Sequence, residues 1–367
     1  MPEPSQQKPA NRLWQISWRL GLCSILLVWI FHSIFVNEAR LAASKHDWTQ
    51  LSRLEQWKRG WHEGPAQLWQ TITLAQPGWL IVSLVLMAGT LFLGVVRWRL
   101  VLEVQGLHLP FRRATEISLV AHFFNSFLLG STGGDLMKAY YAARETHHKK
   151  TEAVVTVFVD RLVGLWAMLL FAGMMMLLNL RTLTSSRVAT LASLLILGML
   201  SVCSFLGVLA FRGGVSRRWG GARAWLRRLP KGASLERSLD SCRLFGRQRL
   251  FLTRTLLISM ALNVVCVLQW QVVGFGLGVS IPPLTMLAIV PMVICIAALP
   301  ITPSGLGVRE TLFVNMLNDP KLATSALTLS LLAYGGSLFW SLVGGVVYLL
   351  LKEKHHLARS ELESQAD

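Results

Sequence analysis

Windows of about 20 consecutive apolar residues restrict the fold of this chain more than any other feature. As an α-helix, such a window crosses a hydrocarbon layer about 30 Å thick. Of the 367 residues, 53% are hydrophobic and only 15% are charged, which is not the composition of a soluble domain. The apolar windows are continuous rather than alternating, which argues against a transmembrane β-barrel. The sequence therefore predicts an all-α, polytopic helical membrane protein.

Six windows have the length of full membrane spans. They cover residues 16–37, 77–96, 152–180, 188–211, 252–276 and 324–351. The first contains Arg19 and is long for a signal peptide, so it is interpreted as an uncleaved signal-anchor. The loop after it, residues 38–76, nearly balances its charges. Apolar residues recur there at near-helical spacing, which predicts an outer helix lying in the membrane interface; they are Trp48, Leu51, Leu54, Trp57 and Trp61.

The distribution of positive charge predicts which ends of the spans are cytoplasmic. Basic residues flank the stretch 114–137 on both sides: Arg97, Arg99, Arg112 and Arg113 before it, and Lys138, Arg144, Lys149 and Lys150 after it. This stretch is therefore predicted to enter the membrane and return as a re-entrant hairpin. The loop 212–250 carries eleven Lys or Arg residues and is predicted to be cytoplasmic, like both chain termini. This order forces residues 284–318 to form a second hairpin that enters from the opposite face.

Three regions follow from this topology. Residues 1–76 comprise the first span and the outer interfacial helix, residues 77–351 form the main transmembrane domain, and residues 352–367 form a cytoplasmic tail.

Both predicted hairpins place small residues at the tip and charges in the returning helix, in "GSTGGDLMK" and "TPSGLGVRE". Opposed re-entrant elements of this kind indicate an inverted-topology repeat with a site near the midplane. Irregular backbone at membrane depth needs surrounding protein or a water-filled cavity, so the tips predict a polar cavity. The two helix N-termini, with Lys138 and Arg309, would form an anion site there. The alternative is that the glycines only make the turns and the cations extend to the membrane surface.

Other charged residues in these segments have two interpretations each. Asp135 and Glu310 either stabilise helix N-termini or pair with cations and carry protons. Asp160 and Arg161 lie about two turns inside the third span and point about 100° apart, so each is expected to pair with a different group. They either form structural pairs or take part in the site. His122 and Asn125 are more typical of helix packing. The candidate substrate-binding residues are Asn125, Ser131, Thr132, Gly133, Gly134, Asp135, Lys138, Asp160, Arg161, Pro303, Ser304, Gly305, Gly307, Arg309 and Glu310.

Several function classes have little support in the sequence. The net charge of +17 is concentrated in the loop 212–250, which indicates contact with anionic lipid rather than nucleic acid. The cysteines show no metal-binding spacing, so neither a metal nor a cofactor is expected. No phosphate-binding loop or metalloprotease motif is present, so an enzyme is not expected. The best enzymatic alternative is an intramembrane hydrolase that uses Ser304 with His122.

Four motifs in this order resemble the lysylphosphatidylglycerol synthase transmembrane-region family, across about residues 100 to 350. They are "RW" at 97–98, "FFNSFLLGSTGGDLMKAY" at 123–140, "DRLVGL" at 160–165 and "LPITPSGLGVRE" at 299–310. The family usually has Pro and Arg where Gly130 and Lys138 stand here, a departure that bears on the substrate. The chain ends at Asp367, so no aminoacyl-transferase domain and no lysyl-lipid synthesis are expected of this polypeptide.

The resemblance implies a flippase-like protein of the bacterial cytoplasmic (inner) membrane that moves an amphiphilic lipid between leaflets. Candidate lipids are an aminoacyl-phospholipid, a polyprenyl-linked sugar or a hopanoid. The expected partners are this lipid substrate and anionic lipid at the basic loop. Two alternatives are an ion or small-solute transporter and a non-transporting partner of a lipid-modifying enzyme.

Overall fold

The computed structural model describes residues 51–73, 75–127, 133–145, 150–180, 186–212, 249–299 and 301–364, with residues 28, 31–32, 35–36, 39 and 48 before them. These residues form helices and no strand. The helices are α1 (Arg53–Thr73), α2 (Pro77–Val104), α3 (Phe111–Phe127), α4 (Gly133–Glu145), α5 (Lys150–Leu178), α6 (Arg187–Arg212), α7 (Arg249–Gly276), α8 (Pro283–Ala297), α9 (Val308–Leu317) and α10 (Ala323–Ser364). Short 3₁₀ turns lie at Pro303–Gly305 and Pro320–Leu322.

Five of these helices, α2, α5, α6, α7 and α10, are long and apolar enough to cross a membrane. They confirm five of the six predicted spans, and the predicted span 16–37 lies largely outside the described residues. Their outer surfaces carry large exposed apolar side chains, as lipid contact requires; examples are Val85 on α2, Leu194 on α6, Leu257 on α7 and Val346 on α10. The chain is therefore a polytopic helical membrane protein.

The second span differs from its prediction at its C-terminal end. Helix α2 continues to Val104, whereas the sequence predicted its end at residue 96. It ends where Gly106 adopts a φ of 65° and the amide of Leu107 donates back to the carbonyl of Leu102, the left-handed ending that glycine favours. As a result Arg97 and Arg99 lie within the helix rather than in a basic loop.

The two predicted hairpins consist of pairs of short helices that pack against each other, α3 with α4 and α8 with α9. These helices have 17, 13, 15 and 10 residues. At about 1.5 Å per residue, none reaches the roughly 30 Å of a hydrocarbon core. Because neither hairpin crosses the membrane, the odd number of spans between them, α5 to α7, puts the two hairpins on opposite faces.

Contacts between helix ends agree with this opposed arrangement. At the face where α2 ends, Arg113 at the start of α3 bonds Glu145 at the end of α4, at 2.6 Å. At the other face, Asn179 beyond α5 donates to the carbonyl of Leu284 at the start of α8, at 3.4 Å.

Helix α8 is almost entirely enclosed by protein. It packs against α5, α6 and α7, and nine of its fifteen residues are buried, including Ile289, Met292 and Val293. Burial on all sides suits a re-entrant helix, which ends at membrane depth and leaves backbone groups that lipid cannot satisfy. The second hairpin is therefore seated in the main hydrophobic core.

The first hairpin is fixed at its first limb. Helix α3 packs against α10 at two glycines that leave no room for a side chain. A Cβ atom at Gly344 would overlap the carbonyl oxygen of Leu119, and one at Gly345 would lie 2.9 Å from the ring of Phe123. Small residues permit this close approach of two helices in a membrane.

Helix α1 covers most of the loop for which the sequence predicted an amphipathic interfacial helix. Ser52 and Glu55 cap its start: Glu55 Oε2 accepts from the backbone N–H and the hydroxyl of Ser52, at 2.8 and 2.7 Å. These hydrogen bonds lower the pKa of Glu55. Leu54, Trp57 and Trp61 are exposed, as the amphipathic pattern predicted, whereas Trp48 is buried.

Candidate functional site

A cluster of charged side chains lies inside the membrane-spanning region around Asp160. Its Oδ1 accepts a hydrogen bond from Nε of Arg97 at 2.8 Å, and its Oδ2 accepts one from Nζ of Lys138 at 3.3 Å. The three side chains are 7%, 13% and 12% exposed, respectively. Asp160 lies ten residues into α5, so it is about 15 Å from the start of that helix. Two cations from two different helices thus share one carboxylate that is almost completely shielded from solvent.

Neighbouring residues fix the position of each cation. Arg97 lies against α5 where Gly164 leaves space, because a Cβ there would be 2.8 Å from both terminal guanidinium nitrogens. Its Nη1 also donates to Ser259 on α7 at 3.2 Å. The ammonium of Lys138 lies 4.2 Å from the ring centroid of Trp98, a cation–π geometry. The site is therefore built from α2, α4, α5 and α7 together.

A second ion pair lies beside this cluster but nearer the protein surface. Arg161 donates to Asp135 on α4 at 2.6 Å, and the two side chains are 49% and 25% exposed. Leu136, Phe158 and Leu162, their sequence neighbours on α4 and α5, are exposed apolar residues. The charged pair consequently lies at the boundary between the protein and the surrounding hydrocarbon, where charged groups are costly and usually mark a functional site.

The second hairpin carries its own ion pair at the start of α9. Both Nε and Nη2 of Arg309 donate to Oε1 of Glu310, at 3.2 and 2.9 Å, and its guanidinium lies 4.3 Å from the ring centroid of Tyr334. Glu310 is fully buried. Its Oε2 accepts from the amide of Gly307 at 2.7 Å, so the carboxylate also caps the helix.

The tip of the second hairpin contacts the first limb of the first hairpin near the end of α3. Ser304 Oγ in the 3₁₀ turn donates to the carbonyl of Ser126 near the end of α3, at 3.2 Å. Ser304 holds a φ of 52°, a left-handed conformation that is unfavourable for a residue with a side chain. Gly305 and Gly307 have φ values of 70° and 80°, and a Cβ at Gly305 would lie 2.7 Å from the carbonyl of Ala297.

In the first hairpin, Gly134 and Asn125 join the two limbs. The amide of Gly134 donates to Oδ1 of Asn125 at 2.9 Å. A Cβ at Gly134 would overlap the carbonyl oxygen of Ala121. These two candidate residues therefore close the hairpin, and Gly133 begins α4 beside them.

The structure brings the predicted charges together in two groups. Asp135, Lys138, Asp160 and Arg161 lie in the first, and Arg309 and Glu310 form the second. As predicted, Asp160 and Arg161 pair with different groups. Lys138 and Arg309, which the sequence placed in one shared site, pair with different carboxylates, Asp160 and Glu310. Ser131 and Thr132 lie outside the described residues, and of Pro303 only the backbone turn is described.

Sequence reasoning assigned no site role to Arg97, Trp98, Ser259 or Tyr334, although each contacts a site residue. The signal for Arg97 was present, because an arginine directly follows the apolar window 77–96. It was interpreted as part of a cytoplasmic basic cluster. Its partner Asp160 lies 63 positions away, so only the tertiary structure could join them.

The residues proposed for a hydrolase are engaged elsewhere. Ser304 donates to Ser126, and Nε2 of His122 lies 3.1 Å from the carbonyl of Ser337 on α10. Within the described part of the chain, no group of three His, Cys, Asp or Glu side chains could hold a metal ion.

These elements define a helical membrane protein with two opposed hairpins and charged groups at membrane depth. The chain matches the family described as the lysylphosphatidylglycerol synthase TM region over residues 57–345. This match covers most of the 367 residues, so the chain belongs to that family, as the motifs had indicated. No curated protein matches it. Membership of this family connects the protein with lipid metabolism in a membrane.

Proposed function

We propose that this protein is a lipid flippase or transporter. In this proposal, a lipid with an anionic or polyprenyl-linked headgroup moves between the leaflets of a bacterial inner membrane, and the polar region between the hairpins accommodates the headgroup. Asp135, Lys138, Asp160 and Arg161 would receive it on one side of the tips, and Arg309 and Glu310 on the other. The fatty or isoprenoid chains would stay in the surrounding hydrocarbon.

The observation that carries this proposal is the exposure of the Arg161–Asp135 pair beside lipid-facing Leu136 and Phe158. A charged headgroup that arrives sideways from the bilayer would meet Arg161 before it reaches the buried cluster. The neighbouring cluster of Lys138, Asp160 and Arg97 is more buried. It offers stronger electrostatic interactions because it is shielded from water. An ion transporter has no need for charges on its lipid-facing surface.

The charge balance also favours an anionic headgroup. Three cations and two carboxylates stand in the first group, Arg97, Lys138 and Arg161 against Asp135 and Asp160. The group therefore carries a net charge of +1 when all five are ionised. One phosphodiester would neutralise it, and neutralising buried charge offsets part of the cost of dehydrating the phosphate.

Reconstitution tests the proposal directly. Vesicles would contain the purified protein and a trace of acyl-labelled fluorescent phosphatidylglycerol, and an impermeant quencher would report how much label reaches the outer leaflet with time. Wild-type protein should accelerate this exchange over empty vesicles, and Arg161→Gln should reduce it. Arg112→Gln is the matched control, since that side chain is 85% exposed in an ion pair at the start of α3.

Two results would contradict the proposal. Equal exchange in empty and protein-containing vesicles, for phosphatidylglycerol and for a fluorescent polyprenyl phosphate alike, would remove lipid movement as the function. Ion flux through the same vesicles, without lipid exchange, would instead support the transporter alternative.

The orientation and partners belong to the same proposal. We place both termini and the loop 212–250 in the cytoplasm, with anionic lipid as the partner of that loop. Its residues 213–248 lie outside the described part of the structure. Single cysteines at 319–322 should react with an impermeant reagent from outside, and those at 104–108 should not. A separate lipid-modifying enzyme would supply or consume the transported lipid.

A further inference from the structure

We propose that Arg97 and Lys138 are the phosphate-binding pair of this protein, and that the Asp160 carboxylate occupies the place of the phosphate between them until a headgroup arrives. This inference rests on the proposed function and adds a mechanism to it: headgroup binding is an exchange of one anion for another. Arg97 thereby becomes a binding residue, and Asp160 becomes the competitor that sets affinity and release.

The geometry of the carboxylate supports an exchange. Arg97 binds Oδ1 and Lys138 binds Oδ2, so the carboxylate bridges two cations with two oxygens. The two non-bridging oxygens of a phosphodiester present the same pattern of two acceptors with a shared negative charge. Arginine and lysine are the usual side-chain partners of phosphate. In this proposal, a phosphodiester takes the place of the carboxylate between the same two cations.

The surroundings of the cations show that they would remain in place after the exchange. The hydrogen bond to Ser259 holds the guanidinium of Arg97 independently of Asp160, in the space that Gly164 leaves. The ring of Trp98 holds the ammonium of Lys138 in the same way. In the exchange, only the carboxylate of Asp160 turns away from the two cations, whose other contacts remain.

This mechanism makes an unusual prediction for Asp160→Asn. If Asp160 were only a structural counter-ion in a site that ligands do not enter, its removal would destabilise the protein and leave phosphate affinity unchanged. If it competes with phosphate, its removal frees both cations and increases affinity. A site that is open about one-tenth of the time would gain about tenfold in apparent affinity when the competitor is removed. Lipid release should become slower at the same time.

The binding measurement uses the intact protein in neutral detergent, with thermal stabilisation and native mass spectrometry as readouts. The probes are phosphatidylglycerol, inorganic phosphate, and diacylglycerol as the phosphate-free lipid. We expect Asp160→Asn to bind phosphatidylglycerol about tenfold more tightly than wild type, with no gain for diacylglycerol. A gain for phosphatidylglycerol alone identifies a lipid headgroup as the ligand, and a gain for inorganic phosphate alone identifies a free anion.

Glu116→Gln is the matched control. Glu116 also bridges two cations, Arg112 at 3.3 Å and Arg113 at 2.9 Å, but at the surface start of α3. Its removal should produce no gain with any probe. An equal gain in both variants would show a general effect of added positive charge and would overturn the proposal.

Lys138→Gln keeps the test decisive if Asp160→Asn fails to fold. It leaves Asp160 paired with Arg97, so the protein should remain folded while stabilisation by phosphatidylglycerol is lost. Unchanged stabilisation in Lys138→Gln, or a folded Asp160→Asn without a gain, would refute the exchange. Wild-type lipid movement together with either result would refute the exchange alone. A gain in Asp160→Asn without any wild-type lipid movement would refute the proposed function and leave the phosphate site.

Discussion

Replacing Gly134 with alanine should open the first hairpin, and the structure gives the scale of the effect. The added Cβ would lie 2.6 Å from Cγ and 2.7 Å from Oδ1 of Asn125, and would overlap the carbonyl oxygen of Ala121. Real Cβ contacts are essentially never below 3.0 Å, so Asn125 must move by at least 0.4 Å, the difference between 3.0 and 2.6 Å. The backbone of α3 must move further, because a carbonyl within a helix cannot rotate away.

The expected cost combines two effects. Overpacking of this kind costs about 1–3 kcal/mol, and losing the hydrogen bond from the amide of Gly134 to Asn125 costs about 0.5–1.5 kcal/mol. We therefore expect Gly134→Ala to lower the free energy of unfolding by about 2–4 kcal/mol. The shift would also move Lys138, four residues along the same helix, away from Asp160, so lipid movement should decrease as well.

Equilibrium unfolding in mixed micelles, followed by circular dichroism, measures this effect. Gly94→Ala is the matched control, since Gly94 lies in helix α2 and a Cβ there would meet nothing within 4 Å. That variant should be neutral or up to about 1 kcal/mol more stable, as expected for alanine in an open helical position. Asn125→Ala added to Gly134→Ala should recover only part of the loss, because the overlap with Ala121 remains. If Gly134→Ala and Gly94→Ala unfold with the same free energy, the two limbs do not touch as described.

Three further predictions concern the tip, the second ion pair and the interfacial helix. Ser304→Ala should lose the hydrogen bond to Ser126, which lowers the free energy of unfolding by about 0.5–1.5 kcal/mol. Ser304→Gly should be the more stable of the two variants because glycine tolerates the positive φ. The reverse order of melting temperatures would contradict this. Arg309→Gln should cost about 3–5 kcal/mol by leaving buried Glu310 unpaired, and adding Glu310→Gln should recover most of that loss in the same unfolding assay. The lowered pKa of Glu55 means that its capping stabilises α1 above the pKa of the unfolded chain and is lost as pH falls through the folded pKa. Hydrogen exchange in the first turn of α1 should therefore differ between wild type and Glu55→Gln at neutral pH and converge in acid.

Much of the fold could be predicted because few folds are stable for a chain in the hydrocarbon of a membrane. The apolar windows predicted five spans that the structure contains, and the distribution of charge predicted where the two hairpins interrupt them. Helix α8 shows the strength of this reasoning. Its composition resembles that of a span. The predicted sides of the flanking spans, however, required the chain to return to the face from which it entered, and in the structure α8 has only fifteen residues and is enclosed by protein.

The site was less predictable, because ion pairs depend on contacts between distant segments. The positive-inside rule counts cations without distinguishing an arginine in a loop from one turned into the protein, so Arg97 was assigned to the wrong environment. The similar tips indicated a common site for Lys138 and Arg309, but each cation pairs with a nearby carboxylate, Asp160 or Glu310. The sequence predicted Gly134 as a substrate-binding residue. It did not predict the close approach of Ala121, which leaves no room for a side chain at this position.

The two limbs of the first hairpin make different kinds of contact with the neighbouring spans. We therefore expect one limb to stay in place and the other to respond to ligands. Helix α3 meets α10 backbone against backbone at Gly344, a contact that short-range repulsion makes stiff. Helix α4 meets α5 through the ion pairs of Asp135 and Lys138 in addition to apolar packing, and these ionic contacts can be exchanged for others of equal charge. We therefore expect α3 to stay in place and α4 to move when a headgroup binds. The chemistry of the arriving headgroup, rather than the stiffness of the scaffold, would then determine when the hairpin opens.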